Sequence, residues 1–341
     1  MLFAIVVQEN QTIIAVSNSI PRIITNMELK EVTMKMNRKL LGLINTMFPV
    51  KMAKLRYKKW FGKSLDLDNP QDINAKILWL SLFSDTREWS RLADKYAVRE
   101  FVKERGCEQY LNRLYQGGIT SVDQINWDNL PNEFIIKSNT GCGDNLIVSD
   151  KSKMNVKEVE AKIQGFLKYK PIAVSSEFHY LRIKPPCILI EELLHNDEAA
   201  ASVSSSLIDY KIWCFDGKPY TVFVGANRKP GKSVNFYDYD LNWINHPEHM
   251  QYDSFHLRPE HEIPKPKNIE EMLEVAKKLS AGFPEVRVDL YNVNGRVYFG
   301  EMTFTSNGGI MNYYNFEYAK EMGKHIDISS VKKDPLHWRG R

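Results

Sequence analysis

The sequence lacks several features that would place it in a class at once. No run of eighteen uncharged apolar residues occurs, which excludes a membrane-spanning helix of ordinary length. Cysteine is scarce: Cys107, Cys142, Cys187 and Cys214 lie far apart with no CxxC spacing. Neither a disulfide framework nor a structural zinc site is expected, and a reducing cytoplasm is the expected compartment. Internal repeats and low-complexity stretches are absent. The opening MLFAIVV lacks a basic n-region and is short for a signal peptide; residues 1–33 are weakly patterned, and Met27, Met34 or Met36 would each serve as a start. Net charge is only +4, too small for a nucleic-acid binder. With 43% hydrophobic and 26% charged residues, the chain is neither disordered, collagenous nor a coiled coil. Its 341 residues suffice for two or three domains or subdomains around sizeable cores.

The charge that is present is unevenly placed. Between Met34 and Ser64 stand Lys35, Arg38, Lys39, Lys51, Lys54, Arg56, Lys58, Lys59 and Lys63, with no acidic residue among them. Apolar residues interleave with this run, as in LLGLINTMF, so a mostly helical segment is expected. Two readings stand: a solvated helical face packed on the main body, or a surface that meets anionic lipid or a polyanionic substrate.

Further along, Asp94 is placed to cap a helix whose apolar stripe is Val98, Phe101 and Val102 and which Gly106 stops. Phe134 to Ser138 (FIIKS) reads as a short strand running into TGCGDN, with a second strand around Leu146 to Val148. Val156, Val159, Ile163, Phe166 and Leu167 have helical spacing. Cys187 to Leu194 (CILIEELL) reads as a buried strand, and 195–206 as a linker or mobile loop. Tyr210 to Val224 is a hairpin turning at Asp216-Gly217. Residues 225–268 look irregular, Ile269 to Ala281 is an amphipathic helix, and VRVDLYNVNGRVYFGEM is a second hairpin. Strands and helices mix without strict βαβ alternation, which predicts an α+β fold.

Two local anomalies carry chemistry. Lys137 follows apolar strand residues and precedes Gly141 and Gly143, which let backbone N–H groups approach phosphate oxygens. The lysine precedes the glycines, so this is not a P-loop; the alternative is an edge-strand lysine before an ordinary turn. Asp289 and Glu301 sit in apolar strands joined at Asn294-Gly295. A two-residue loop pairs Val293 with Arg296 and sends the carboxylates to opposite faces. A three-residue loop, with Gly295 at positive φ, pairs Asn292 with Arg296, sets Arg287 opposite Glu301 and leaves Asp289 diagonal on the same face. Two carboxylates there call for a cation, and hard Mg²⁺ suits them beside phosphates; the alternative is an Arg–Glu pair on a wet face. On the metal reading, Asp289→Asn and Glu301→Gln abolish turnover and spare the fold, and Gly295→Val disturbs the register. The eight histidines show no ligand spacing, and Cys142 has no evident histidine partner.

The order of these motifs resembles the ATP-grasp superfamily. The wording of KKWFGKSLDLDNPQDINAKILWL, LADKYAVREFVKERG, FIIKSNTGCGDN, IEELL, DYKIWCFDGKPY, NFYDYD and GFPEVRVDLYNVNGRVYFGEMTF is similar to the TupA-like ATP-grasp family of bacterial surface-polysaccharide clusters. The resemblance covers about residues 57 to 310. It implies an ATP-grasp fold, two α+β subdomains clamping a nucleotide, behind the helical basic N-terminal segment. The divisions expected are 1–66, a helical lead-in 67–133, a subdomain 134–194 with the glycine loop, a subdomain 195–320 with the metal hairpin, and a tail 321–341. It also implies that Lys95 and Lys137 hold nucleotide phosphates beneath a flap from Thr140 to Asn145 that includes Gly141 and Gly143. Glu191, Glu192, Leu193 and Leu194 match the hinge that reads adenine, and Asp209 the ribose position. Arg287 matches the arginine on acyl-phosphate oxyanions, and Asp289 and Glu301 the metal carboxylates. Thr303, whose hydroxyl is a weaker metal ligand, stands where many ATP-grasp ligases have asparagine. Lys211 shares the nucleotide side if Asp209 does, or is a solvated lysine; Arg228 and Lys232 grip an anionic substrate or are solvated.

The resemblance implies an ATP-dependent ligase that joins a carboxylate to an amine through an acylphosphate, with ATP and Mg²⁺ as cofactors. The partners implied are a sugar carboxylate or polysaccharide precursor and an amino acid or amino sugar, with no nucleic acid. The implied location is cytoplasmic, with a peripheral contact to anionic membrane through residues 35–63. Two other readings stay open: a non-catalytic assembly protein of the same pathway, and a kinase using the same nucleotide site.

Overall fold

The computed structural model describes residues 38–140, 145–229 and 233–334, together with the backbone of three N-terminal strands. Those strands, β1 (Ala4–Gln8), β2 (Gln11–Ala15) and β3 (Ile23–Ile24), pair antiparallel in that order. The basic segment forms two helices, α1 (Arg38–Met47) and α2 (Pro49–Phe61), joined through Phe48. Proline suits the first helical position of α2, and Gly62 closes it at φ +67 with its N–H on the Lys58 carbonyl. The pair docks on the body by one face. A Cβ on Gly42 would fall 2.2 Å from Ile172 Cγ2. Asn45 Nδ2 donates to the Ala173 and Ser175 carbonyls at 2.7 and 2.6 Å. Arg56 donates to Ser176 Oγ at 2.6 Å and the Tyr57 hydroxyl to Asp72 at 2.5 Å.

Helix α3 (Ile73–Phe83) is apolar nearly all round and lies in the core, started by Asp72, whose carboxylate accepts from the Ala75 N–H at 3.1 Å. Two short helices follow, α4 (Arg87–Ala93) and α5 (Val98–Glu104). Asp94 acts one turn ahead of α5, accepting from the Tyr96 and Ala97 N–H groups at 2.8 and 3.0 Å, and Gly106 ends the segment at φ +66.

The smaller sheet contains β4 (Leu114–Ile119), β5 (Phe134–Ser138), β6 (Asn145–Val148) and β7 (Ile188–Glu191), antiparallel in the order β4-β7-β5-β6. Helix α6 (Val156–Lys168) sets Ile163 against Phe134, Ile136, Ile188 and Ile190 in a separate core. Because side chains alternate along a strand, Lys137 faces away from that core.

The larger sheet contains β8 (Asp209–Phe215), β9 (Lys218–Lys229), β10 (Ser233–Tyr239), β11 (His256–Leu257), β12 (Glu285–Val293) and β13 (Arg296–Thr303), in the order β11-β10-β9-β8-β12-β13. Only β10 and β11 run parallel. Helix α7 (Glu198–Val203) precedes it, α8 (Ile269–Ser280) packs Met272, Val275, Ala276 and Leu279 against it, and α9 (Phe316–Lys324) follows. One core runs from α3 through this sheet to α8.

Three stretches differ from expectation. Residues 195–206 are not all linker, because Asp197 caps the alanine-rich α7 by accepting from the Ala200 N–H at 2.8 Å. The stretch 225–268 contributes the end of β9 and all of β10 and β11; its Tyr, Asn and Asp residues obscure the alternation, yet Val234, Phe236, Tyr237 and Tyr239 are buried. Strand β7 stops at Glu191 rather than Leu194.

Candidate functional site

The β12–β13 hairpin closes in two residues, with Asn294 at φ +53 and Gly295 at φ +72, and pairs Val293 with Arg296. That loop alone would turn the two carboxylates to opposite faces. The register then shifts at Gly300, which bulges out of the ladder, and Asp289 comes directly opposite Glu301. The expected three-residue loop is therefore wrong, while the shared face holds by another device. Arg287 lies opposite Thr303, not Glu301. Gly300 allows the bulge because a Cβ there would fall 2.8 Å from the Asp289 carbonyl oxygen.

A row of charges now crosses the sheet: Glu301 on β13, Asp289 on β12 and Lys211 on β8 are successive cross-strand neighbours. Lys211 Nζ donates to Asp289 Oδ2 at 2.5 Å and lies 3.4 Å from Asp209. Arg287 grips the same carboxylate from two residues away, Nε on Oδ1 at 2.7 Å and Nη2 on Oδ2 at 2.8 Å. It also donates to Ser306 Oγ, and to Thr303 Oγ1 at 3.2 Å, and its guanidinium lies over the Trp213 ring at 5.8 Å. Burial pushes the Asp289 carboxyl up, but Arg287 and Lys211 outweigh it and hold it below the ordinary range. Burial likewise lowers the Lys211 ammonium, and Asp209 and Asp289 more than restore it. Glu301 differs: its side chain is 41% exposed, with Arg287 at 3.7 Å and the Thr303 hydroxyl at 3.3 Å. Asp209 also accepts from Arg228 at 2.9 Å, and its charge is the main cause that raises the Tyr291 hydroxyl.

The donors on this face are hard oxygens from Asp289, Glu301 and Thr303, which suit a magnesium ion in type. Both Asp289 oxygens are engaged by cations, so a metal at Asp289 would replace part of the hold that Lys211 and Arg287 have on it.

The smaller sheet carries a second cluster. Glu191 divides its carboxylate between Arg99 of α5 and Lys137 of β5, each at 2.8 Å. Arg99 also donates to the Asn112 carbonyl at 2.8 Å. Asn139 ties the end of β5 to the start of the α5 segment: its carbonyl accepts from the Lys95 N–H at 3.2 Å and its amide donates to Asp94 at 2.8 Å. Lys95 and Lys137 are thus brought to one end of β5. Asn145 lies opposite Lys137 on β6, and Thr140 is buried against Ser138 Oγ at 3.2 Å. Glu192, Leu193 and Leu194 are half-buried past the end of β7, with the Glu192 N–H on the Arg113 carbonyl at 3.0 Å. Gly141, Cys142, Gly143 and Lys232 lie outside the described residues. Helices α4 and α5 join the two clusters: Arg99 reaches Glu191, while Trp89 stacks on Phe304 just past β13 at 4.9 Å.

The sequence reading missed Arg99, Asn139, Tyr291, Ser306 and Tyr313. Ser306 touches both Arg287 and, at 3.1 Å, the Tyr313 hydroxyl. Its signal is Ser306-Asn307-Gly308-Gly309 directly after the hairpin, where Asn307, Gly308 and Gly309 all have positive φ. His246, Glu248 and His249 come within 4.8 Å of one another by ligand atoms, which linear spacing did not reveal. Both ring nitrogens of His246 face carboxylates, Glu248 at 2.8 Å and Asp240 at 3.7 Å, an arrangement for an imidazolium rather than a metal ligand.

A family model described as TupA-like ATPgrasp matches residues 75–327. No curated protein matches the chain in sequence. Among solved structures, D-alanine–D-alanine ligase from Bacillus anthracis is similar at 15% identity and TM-score 0.36, over 69% of this chain and 59% of that one. The Helicobacter pylori D-alanine–D-alanine ligase gives 14%, TM-score 0.38, and 76% and 68%. The L-amino acid ligase from Bacillus licheniformis gives 13%, TM-score 0.39, and 66% and 45%. The chain thus spans about three fifths of the first of these structures, and the fold assignment rests on the family match.

Proposed function

The chain belongs to the TupA-like ATP-grasp family, and on that premise we propose that it is an ATP-dependent carboxylate–amine ligase. The γ-phosphoryl group of ATP passes to a carboxylate oxygen of the substrate, forming an O–P bond as the bond to the β-phosphate oxygen breaks and ADP leaves. An amine then attacks the acyl carbon, loses a proton and expels phosphate, leaving an amide. The observation that carries this reading is the row Glu301–Asp289–Lys211 with Arg287 bound to its centre.

In this proposal Lys95 and Lys137 neutralise the nucleotide phosphates beneath the Thr140–Asn145 loop, which includes Gly141 and Gly143. The side chain of Glu191 aims Lys137, and the backbone of Glu192, Leu193 and Leu194 remains for the adenine edge. Asp209 takes the ribose, and Asp289 and Glu301, assisted by Thr303, hold Mg²⁺. When bound, the ion offsets charge on the phosphate oxygens. Arg287, fixed by Asp289 and Ser306, stabilises the acylphosphate and the oxyanion formed on attack. Lys211 and Arg228 supply the remaining positive charge toward anionic substrate groups. The substrate class is a sugar carboxylate of a bacterial surface polysaccharide such as a capsule, or of its precursor, and the acceptor is an amino acid or amino sugar. The site of action is the cytoplasm, at the inner face of the membrane.

Phosphate release from ATP, measured with panels of sugar carboxylates and amines, tests the reading. A ligase needs both partners for full turnover. Release that needs a hydroxyl and no amine would make the protein a kinase, and absence of ATP binding would make it a non-catalytic assembly protein.

A further inference from the structure

Among the described residues, the helix pair α1–α2 is docked by one side, and its other side is chemically one-sided. Residues 38–64 hold eight basic residues and no acidic one. The inward face is accounted for by Gly42, Asn45, Met52, Ala53 and Tyr57, all buried, and Arg56 is spent on Ser176. Outward, α1 exposes Leu40, Leu43 and Met47, spaced three and four residues apart and so on one helical face. Leu43 is 57% and Met47 48% exposed. On α2, Lys54 and Lys58 are exposed one helical turn apart, on the side away from the buried Pro49, Ala53 and Tyr57, and Lys59 and Lys63 are exposed beyond them. A solvated face has no use for a Leu-Leu-Met stripe. A protein-packed face gains little from unbalanced lysines. The combination of an apolar stripe on α1 with Lys54, Lys58 and Lys59 on α2, which have no acidic partner among the described residues, matches a peripheral membrane helix.

We propose that the outward face of α1–α2 docks on a bilayer rich in anionic phospholipid. Leu40, Leu43 and Met47 enter the headgroup boundary, and Lys54, Lys58 and Lys59 meet the lipid phosphates. The contact deepens the membrane location given above but does not depend on which bond the enzyme forms.

Flotation of the full-length protein with vesicles of phosphatidylcholine, alone or mixed with phosphatidylglycerol, tests this. The wild type should float with the mixed vesicles only, and less as salt shortens the screening length to ~8 Å near physiological strength. Reversing Lys54, Lys58 and Lys59 to glutamate should weaken binding roughly a hundredfold or more. Leu43→Ser with Met47→Ser should weaken it less, and both variants should keep the wild-type thermal transition because neither touches the docked face. Equal flotation with both vesicle types, none with either, or wild-type binding by the charge-reversed variant would each overturn the proposal. So would a concentration-dependent dimer lost on Leu43→Ser, since the stripe would then serve a second copy of this chain.

Discussion

The two charged clusters use the same residue types and arrive at opposite balances. On the smaller sheet, Lys137 and Arg99 share the single carboxylate of Glu191, leaving one positive charge over, and the Lys137 side chain is 25% exposed. On the larger sheet, Lys211, Arg287 and Arg228 face Asp209, Asp289 and Glu301, three charges of each sign, with Asp289 fully enclosed. An excess of positive charge at a partly open site suits an arriving polyanion. A balanced set with a buried centre holds the Asp289 carboxylate and Arg287 in register, and a cation must displace part of that balance to enter. The first cluster trades in charge, the second in geometry.

The largest expected effect comes from unbalancing the closed cluster. Asp289→Asn should abolish turnover and also destabilise the protein by about 3 kcal/mol or more, because it leaves Arg287 and Lys211 buried without their shared counter-ion. That reverses the expectation from sequence that such a change relieves repulsion and spares the fold. Denaturant titration checks it; a midpoint equal to wild type would show that the two cations are solvated. Glu301→Gln, on a side chain 41% exposed, should lose turnover with a stability change within about 0.5 kcal/mol.

Next comes the device that aligns the carboxylates. Gly300→Ala should cost about 1–3 kcal/mol and most of the activity, since the added methyl collides with the Asp289 carbonyl and an unbulged pairing turns Glu301 to the other face. Gly295→Val strains a φ of +72 but leaves the bulge in place, so its activity loss should be smaller. The same activity from both variants would detach the bulge from function.

The open cluster should show affinity effects without collapse. Lys137→Ala should weaken ATP binding about tenfold in calorimetry with the thermal transition retained, and Glu191→Gln should weaken it through loss of aim. Unchanged binding in both would remove this cluster from the nucleotide site.

The smallest effect concerns Glu285 at the foot of β12, buried with both carboxylate oxygens lacking a partner among the described residues. Burial raises its carboxyl well above the ordinary value, against a smaller pull from Arg287. The folded state therefore keeps a proton that the unfolded state has lost, and stability falls as pH rises from about 4.3 toward the raised folded value. Glu285→Gln should flatten that slope in stability measured from pH 5 to 8.

Much of this architecture is legible in sequence because it rests on local pattern. FIIKS, the 156–168 helix, the two turns at Asp216-Gly217 and Asn294-Gly295, and the 269–280 helix all fall where alternation, helical spacing and turn residues put them. Strand β10 was hidden because three of its five buried side chains, Tyr237, Asp238 and Tyr239, carry polar groups that blur the alternation. The carboxylate pair was legible, but its mechanism was not: parity counted from the turn cannot see the bulge at Gly300, further along β13. Arg99 and Ser306 meet their partners only through tertiary contact, across 92 residues in the chain for Arg99 to Glu191 and 19 for Ser306 to Arg287.

The most direct test of one joint site is a crystal structure with a non-hydrolysable ATP analogue and Mn²⁺, read from anomalous scattering. The account predicts a manganese peak coordinated by Asp289 and Glu301, with Lys137 on the analogue's phosphates and Arg287 still on Ser306. A peak elsewhere, with Asp289 still clasped by Lys211 and Arg287, would contradict it.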